Sequence, residues 1–166
     1  MAAPKVYGFD TGFVCHYRGW SGLRPEDLGI LWEHLVLNEV QSLTGRRDVR
    51  YWRSKAGREV DFILARPGAA LTAIECKWKA DAFDAAGLLA FRSRYPKGAN
   101  LVVASDVDRA YDRRYAALRA RFVGLGDLGA HLGPVEPTRA AAHGSVGPTG
   151  PTWGARFPRR GGVSST

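Results

Sequence analysis

The sequence predicts an α/β domain with a central sheet covered by helices. Three observations carry this. Residues 25–44 repeat their apolar side chains at helical spacing. Three runs between residues 49 and 78 have the length and composition of strands, with a turn signal between the last two. Further on, helical and strand-like segments alternate. The order helix, three strands, helix, strand, helix calls for a sheet with helices laid on it.

Residues 5–9 form a short strand-like run, closed by Asp10, Thr11 and Gly12. A long helix starts near Pro25, because proline's fixed φ and missing N–H suit the first helical position. It runs to about Thr44, and Gly45 is its stop. Leu28, Leu31, Trp32, Leu35, Val36, Val40 and Leu43 make one broad apolar face. The strand candidates are residues 49–53, 59–65 and 71–78, and Arg66-Pro67-Gly68 joins the last two as a hairpin. A helix over about residues 81–95 follows, stopped by Pro96 and Gly98. Residues 100–105 read as a buried strand, and the Arg-rich residues 111–122 as a helix.

Hydrophobic residues make up 45% and charged residues 24% of the 166, which excludes collagen, coiled coil and wholesale disorder. The apolar runs are a few residues long, far short of the roughly 20 that span a membrane. No leader pattern opens the chain. Cys15 and Cys76 make no disulfide framework, so the cytoplasm is the expected compartment. Residues 134–166 hold six Gly and five Pro and a charge of +3, against +8 for the whole chain. Such a tail buries too little surface to offset its ordering entropy, so it is expected to be disordered, with the folded domain at residues 1–133. Trp153 and Phe157 lie among Arg156, Arg159 and Arg160 and suit contact with nucleic acid, although a solvated tail is the plainer reading. The basic balance favours polyanions through counterion release; simple solubility is the alternative.

Alternation along a strand decides which side chains share a face. Val60, Phe62 and Leu64 are expected on one face, and Asp61 and Ile63 on the other. On the next strand Leu71, Ala73, Glu75 and Lys77 share a face. A hairpin then sets Asp61 across from Glu75 and Lys77. Two close carboxylates repel unless a cation stands between them. Mg²⁺ is a suitable cation, being hard and oxygen-loving. A neighbouring Lys orients a water or stabilises charge developing on a phosphate. The trio therefore suits metal-assisted phosphodiester hydrolysis. A salt bridge on a half-exposed strand is the alternative.

Asp61, thirteen intervening residues, then Glu75-Cys76-Lys77 resembles the PD-(D/E)xK signature of the restriction-endonuclease-like superfamily. More broadly, the runs KVYGFDTGF, LGILWEHLVLNEV, VRYWRSKAGREVDFILA, LTAIECKW and GLLAFRSRYP resemble the domain of unknown function 4143 over roughly residues 4–128. The resemblance implies a restriction-endonuclease-like core, a short mixed central sheet flanked by helices. It implies that Asp61 and Glu75 hold Mg²⁺ (or Mn²⁺) and that Lys77 assists catalysis, with DNA as the substrate. Val60 stands where the signature has Pro. Domains of this type typically follow an AAA-type ATPase module, so a separate ATPase partner is expected. No G-x-x-x-x-G-K-[ST] occurs, so no ATP hydrolysis is expected, and the chain reads as a separated C-terminal domain. Two alternatives stay open: a non-catalytic DNA- or protein-binding, regulatory module of such an ATPase, and an inactive fragment.

The superfamily often adds an acidic residue from the first helix. Glu33, in LWEHLV, and Glu39, in NEV, both match acidic positions of the family. Helical geometry puts Glu39 near the middle of the apolar face and Glu33 at its edge. A carboxylate on a buried face needs a partner or a metal. Both are carried as candidates, Glu33 for the catalytic set and Glu39 as a metal ligand; a solvated Glu33 and an internally paired Glu39 are the alternative.

Arg46, Arg47, Arg50, Arg53, Lys55 and Arg58, with Tyr51 and Trp52 among them, suit a phosphate track toward the metal site or a solvated edge. Arg109, Arg113, Arg114, Arg119 and Arg121 read as a solvated helix face. His16, His34, His131 and His143 show no zinc-ligand spacing with the cysteines. Cys76 alternates away from Glu75 and Lys77, toward the core.

Overall fold

The computed structural model describes residues 6–45 and 49–132. The expected disordered tail, residues 134–166, lies outside the described residues, as do Arg46 and Arg47. Among the described residues four α-helices and six strands follow in chain order: α1 (Thr11–Tyr17), α2 (Pro25–Thr44), β1 (Arg50–Arg53), β2 (Glu59–Leu64), β3 (Thr72–Lys77), α3 (Ala86–Arg94), β4 (Asn100–Ala104), β5 (Tyr111–Tyr115), β6 (Leu118–Val123) and α4 (Leu128–Leu132). The strands form one mixed sheet in the order β1-β2-β3-β4-β6-β5. β1, β2 and β3 are antiparallel, β3, β4 and β6 are parallel, and β5 is antiparallel to β6. Among the described residues no helix is long and apolar enough to cross a membrane.

α2 begins at Pro25 as expected. Asp27 strengthens the start by accepting from Arg24 N and Arg24 Nε, both at 3.0 Å. Gly45 ends the helix at φ 63°, the left-handed conformation a side chain resists. The buried face of α2 is Trp32, Val36, Leu37 and Val40, packed on Phe62, Leu64, Ile74, Cys76, Leu101 and Val103. Trp32 Nε1 donates to the Val103 carbonyl at 3.0 Å, which sets the helix's position over β4. Leu35, expected on that face, is exposed.

Connecting parallel β3 to β4 takes a crossover, and α3 supplies it on the other face. There Leu88 and Phe91 pack on Val60, Ile63 and Ala73. Arg92 ties this crossover together, donating to Asn100 Oδ1 at 2.6 Å and to the Leu71 carbonyl at 3.0 Å. The expected helix over residues 81–95 is shorter than the sequence suggests: a 3-10 turn, Ala80–Ala82, precedes α3.

Three further expectations are corrected. Residues 6–9 are not a strand; Asp10 instead caps α1, its Oδ1 accepting from Phe13 N at 2.7 Å. Residues 111–122 are not a helix but the hairpin β5–β6, with Tyr111 opposite Phe122 and Tyr115 opposite Leu118. Val60 does not share a face with Phe62 and Leu64. Arg50 pairs with Ile63 but Trp52 pairs with Val60, so Asp61 and Phe62 together oppose one residue of β1. That β-bulge re-aims the strand. It sends Val60 to the α3 face while Phe62 and Leu64 stay under α2.

Candidate functional site

The bulge sits where β2 and β3 part company. Their ladder runs Leu64–Thr72, Ile63–Ala73, Phe62–Ile74, and one more step brings Asp61 to Glu75. There the side chain takes over from the backbone: Asp61 Oδ2 accepts from Cys76 N at 2.9 Å. Strand N–H groups lie in the plane of a sheet. The Asp61 carboxylate is therefore held at the sheet's own level, between the α2 face and the α3 face.

Glu75 is only 5% exposed, a burial that an acidic side chain tolerates when partnered. Lys77 Nζ donates to Glu75 Oε2 at 3.1 Å. Burial alone would lower the Lys77 ammonium, but the charges of Glu75 and Asp61 outweigh it and hold its pKa above the usual value. Lys77 is thus a cation throughout the neutral range, fitted to donate hydrogen bonds and stabilise negative charge rather than to act as a base. Gly87, in the first turn of α3, makes room for this arrangement. A Cβ there would stand 2.1 Å from the Glu59 carbonyl oxygen and 3.2 Å from Glu75 Oε1.

Glu33 joins the group from α2. Its Oε1 accepts from the Tyr7 hydroxyl at 2.5 Å. The Cys76 thiol is pushed well up by burial, then by the charges of Asp61, Glu33 and Glu75. Asp61, Glu33 and Glu75 are thus each close enough to Cys76 to act on its thiol. Cys76 itself is buried and protonated, as its alternation implied. Glu39 stands six residues on from Glu33, about 9 Å along the helix and about 120° around it. It is half-buried rather than at the centre of the buried face, which belongs to Val36 and Val40.

Among the described residues no three His, Cys, Asp or Glu side chains stand ready-arranged around a metal. Mg²⁺ does not ask for that: it usually keeps several waters and takes one or two carboxylates. Asp61 and Glu75, hard oxygen donors on adjacent strands, fit such a requirement, with Glu33 nearby.

The basic edge beside the site is only partly available. Tyr51 is exposed, but Trp52 packs edge-on against Phe91 with ring centroids 5.5 Å apart. Arg53 pairs with Glu59 at 3.2 Å and Arg58 with Asp84 at 3.8 Å. The second basic stretch lies on the β5–β6 hairpin, where Arg119 and Arg121 both reach Asp112 Oδ2 at 2.8 Å. Sequence reasoning passed over Tyr7 and weighed His34 only as a zinc ligand. The signal for Tyr7 was the run KVYGFDTGF, whose Tyr and Gly reach across to α2.

No curated protein matches the chain. Among solved structures it is similar to a chain of a refined half-complex from the tetradecameric assembly of Thermococcus gammatolerans McrB AAA+ hexamers with bound McrC, at 7% identity and a TM-score of 0.39. That likeness covers 58% of this chain and 27% of the other, so this chain spans about a quarter of that protein's length. The domain of unknown function DUF4143 matches residues 28–122, a segment that contains Glu33, Asp61, Glu75 and Lys77. The match takes in more than half of the residues, and the chain belongs to the DUF4143 family.

Proposed function

We propose that this chain is a Mg²⁺-dependent, restriction-endonuclease-like domain of the PD-(D/E)xK type that hydrolyses phosphodiester bonds in DNA, in the cytoplasm and beside an AAA-type ATPase partner. The observation that carries the reading is the Asp61 carboxylate, fixed by Cys76 N–H between the strands, next to the Glu75–Lys77 pair. Asp61 and Glu75 hold the metal, and Mn²⁺ serves in its place. A divalent ion held there would supply Lewis-acid polarisation of a phosphoryl oxygen and a more acidic water. Lys77 would orient that water and stabilise the charge that builds on the phosphate. The water oxygen bonds to phosphorus, the bond to the leaving sugar oxygen breaks, and the water's proton ends on that oxygen. The net charge of +8 favours approach to the polyanion.

The test is cleavage of labelled single-stranded, duplex and branched DNA with Mg²⁺ or Mn²⁺, beside the Asp61→Ala and Lys77→Ala proteins. Metal-dependent cleavage that both substitutions abolish is the expected result. A folded wild-type protein that cleaves none of the three overturns the reading.

A second reading, a non-catalytic binding or regulatory module of such an ATPase, has its own observation. Phe9, Phe13 and Tyr17 are 89%, 62% and 82% exposed around α1. Apolar side chains left together in water suit a protein partner. A cleavage-inactive protein that still binds DNA, or an ATPase, favours this second reading.

A further inference from the structure

The sheet edge remote from β1 is unusually basic. Residues 111–123, the β5–β6 hairpin, hold four Arg against one Asp, a net +3. Residues 134–166 carry another +3 of the chain's +8, which leaves +5 for residues 1–133, so this one hairpin holds most of it. Register sorts the four. Arg121 is level with Leu101, which packs under α2, so Asp112, Arg114, Arg119 and Arg121 lie on the α2 side of the sheet. Arg113 lies on the other side, over the Tyr111 ring at 5.3 Å and the Phe122 ring at 5.4 Å. The α2 side has more cation than its one carboxylate can serve. Asp112 Oδ2 already accepts from both Arg119 and Arg121. Arg121 Nε is buried with no acceptor among the described residues. Arg114 stands directly opposite Arg119, an arrangement of like charges that destabilises a strand pair. Both are exposed, and among the described residues no carboxylate meets Arg114. The rings of the hairpin are used up inside: Tyr111 stacks on Phe122 and Tyr115 packs edge-on to Phe83 at 5.2 Å.

We propose that the β5–β6 hairpin is a docking ribbon for the sugar-phosphate backbone of duplex DNA, with Arg114 and Arg119 each contacting a phosphate. This rests on the DNA substrate of the reading above and not on its metal. A phosphate beside Arg114 and Arg119 relieves their repulsion and supplies the acceptors that Asp112 alone cannot. Guanidinium suits it, because its planar fork matches phosphate oxygens. Contacts of this kind hold the duplex and read no sequence. Proteins that hold single strands add rings on which bases stack; here no ring is left free on the hairpin, which selects the duplex. Glu75, Val102, Phe122 and Tyr111 lie level on successive strands. Three strand spacings, about 14 Å, therefore separate the hairpin from Glu75. Substitutions on the hairpin change DNA affinity and leave the cleavage rate at saturating DNA unchanged.

The experiment is binding of a labelled DNA duplex to the full chain by fluorescence anisotropy, in EDTA and over about 50 to 200 mM salt. The proteins are the wild type, Arg114→Ala, Arg119→Ala, the two combined, both changed to Lys, and Arg66→Ala. The last removes the same charge from the β2–β3 turn. Circular dichroism checks that each one folds. Each phosphate contact contributes about 0.9 to the slope of log affinity against log salt. The expected slope is shallower by about 1 in each single Ala variant and by about 2 in the pair, whatever the sequence of the duplex. The Lys pair and Arg66→Ala keep the wild-type slope. A wild-type slope in the paired Ala variant overturns the inference alone, because the chain then holds DNA elsewhere. An equal shift in Arg66→Ala overturns it too, by assigning the effect to overall charge, and so does tighter binding of the matching single strand. A wild-type protein that binds no duplex overturns the inference, and the reading above falls with it only if that protein also cleaves no DNA.

Discussion

Two clusters of opposite charges stand at different places on one sheet, built from the same residue types with opposite consequences. On the β5–β6 hairpin, Asp112 meets Arg119 and Arg121 in the open. The Arg119 hydrogen bond lowers the Asp112 pKa most; burial opposes it, and the Arg121 hydrogen bond adds a further lowering. Asp112 and Arg119 stay largely hydrated, and such surface pairs contribute little to stability. At the parting of β2 and β3, Asp61 accepts from the Cys76 N–H beside the buried Glu75 and its partner Lys77. There the charges of Glu75 and Asp61 hold the Lys77 ammonium above its usual pKa although burial alone would lower it. The difference teaches that burial, not composition, sets how strongly such charges act on one another.

The largest effect that sharpens this contrast is catalytic. Asp61→Ala and Lys77→Ala are expected to lower metal-dependent cleavage by roughly 100-fold or more. Asp112→Ala leaves cleavage and Tm unchanged. Equal loss from all three variants would break the contrast. Next comes Gly87→Ala, which drives a Cβ into the Glu59 carbonyl and against Glu75. It is expected to cost about 1–3 kcal/mol in urea unfolding and to weaken Mn²⁺ binding. Loss of stability with unchanged Mn²⁺ affinity would separate Gly87 from the site.

The hairpin has its own discriminator. Ala116 sits at φ 53°, in a two-residue turn where glycine is preferred. Ala116→Gly is expected to stabilise by about 1 kcal/mol. A helix over this stretch would instead lose about 1 kcal/mol from the same change. The smallest effect concerns Asp27, whose pKa the Arg24 hydrogen bonds hold below the ordinary 3.8. A lowered carboxyl contributes stability above its unfolded value and loses it as pH falls through the folded one. Asp27→Asn therefore lowers Tm at pH 7, and the deficit shrinks in scans below pH 3.8. A deficit that stayed constant with pH would assign the effect to packing.

How far the sequence could be read varied by element. α2 was legible because its start, its stop and its buried face each left a local mark: Pro25, Gly45, and the recurrence of Trp32, Val36 and Val40. The strands β2, β3 and β4 were legible from short apolar runs broken by Arg66-Pro67-Gly68 and Pro96. The β5–β6 hairpin was misread for a specific reason. Tyr111, Tyr115, Leu118 and Phe122 fall at spacings of four, three and four, which a helix also produces. Folding about Ala116 and Ala117 turns the same spacing into cross-strand pairs, Tyr111 stacking on Phe122 with centroids 5.0 Å apart. No Gly or Asn announced the turn.

The sequence by itself determined the α/β alternation, the placing of Asp61, Glu75 and Lys77 on neighbouring strands, and the membership of Cys76 in the core. These follow from periodicity and local turn chemistry, which depend only on nearby residues. Tertiary structure alone decided three things. The bulge put Asp61 at the level of the sheet and sent Val60 to the opposite face, because a register shift needs a partner strand to exist. The packing of α2 brought Glu33, rather than Glu39, beside Tyr7. The segment before α1 was fastened to α2, because Tyr7 and Glu33, remote in sequence, meet only once α2 and β2 have packed.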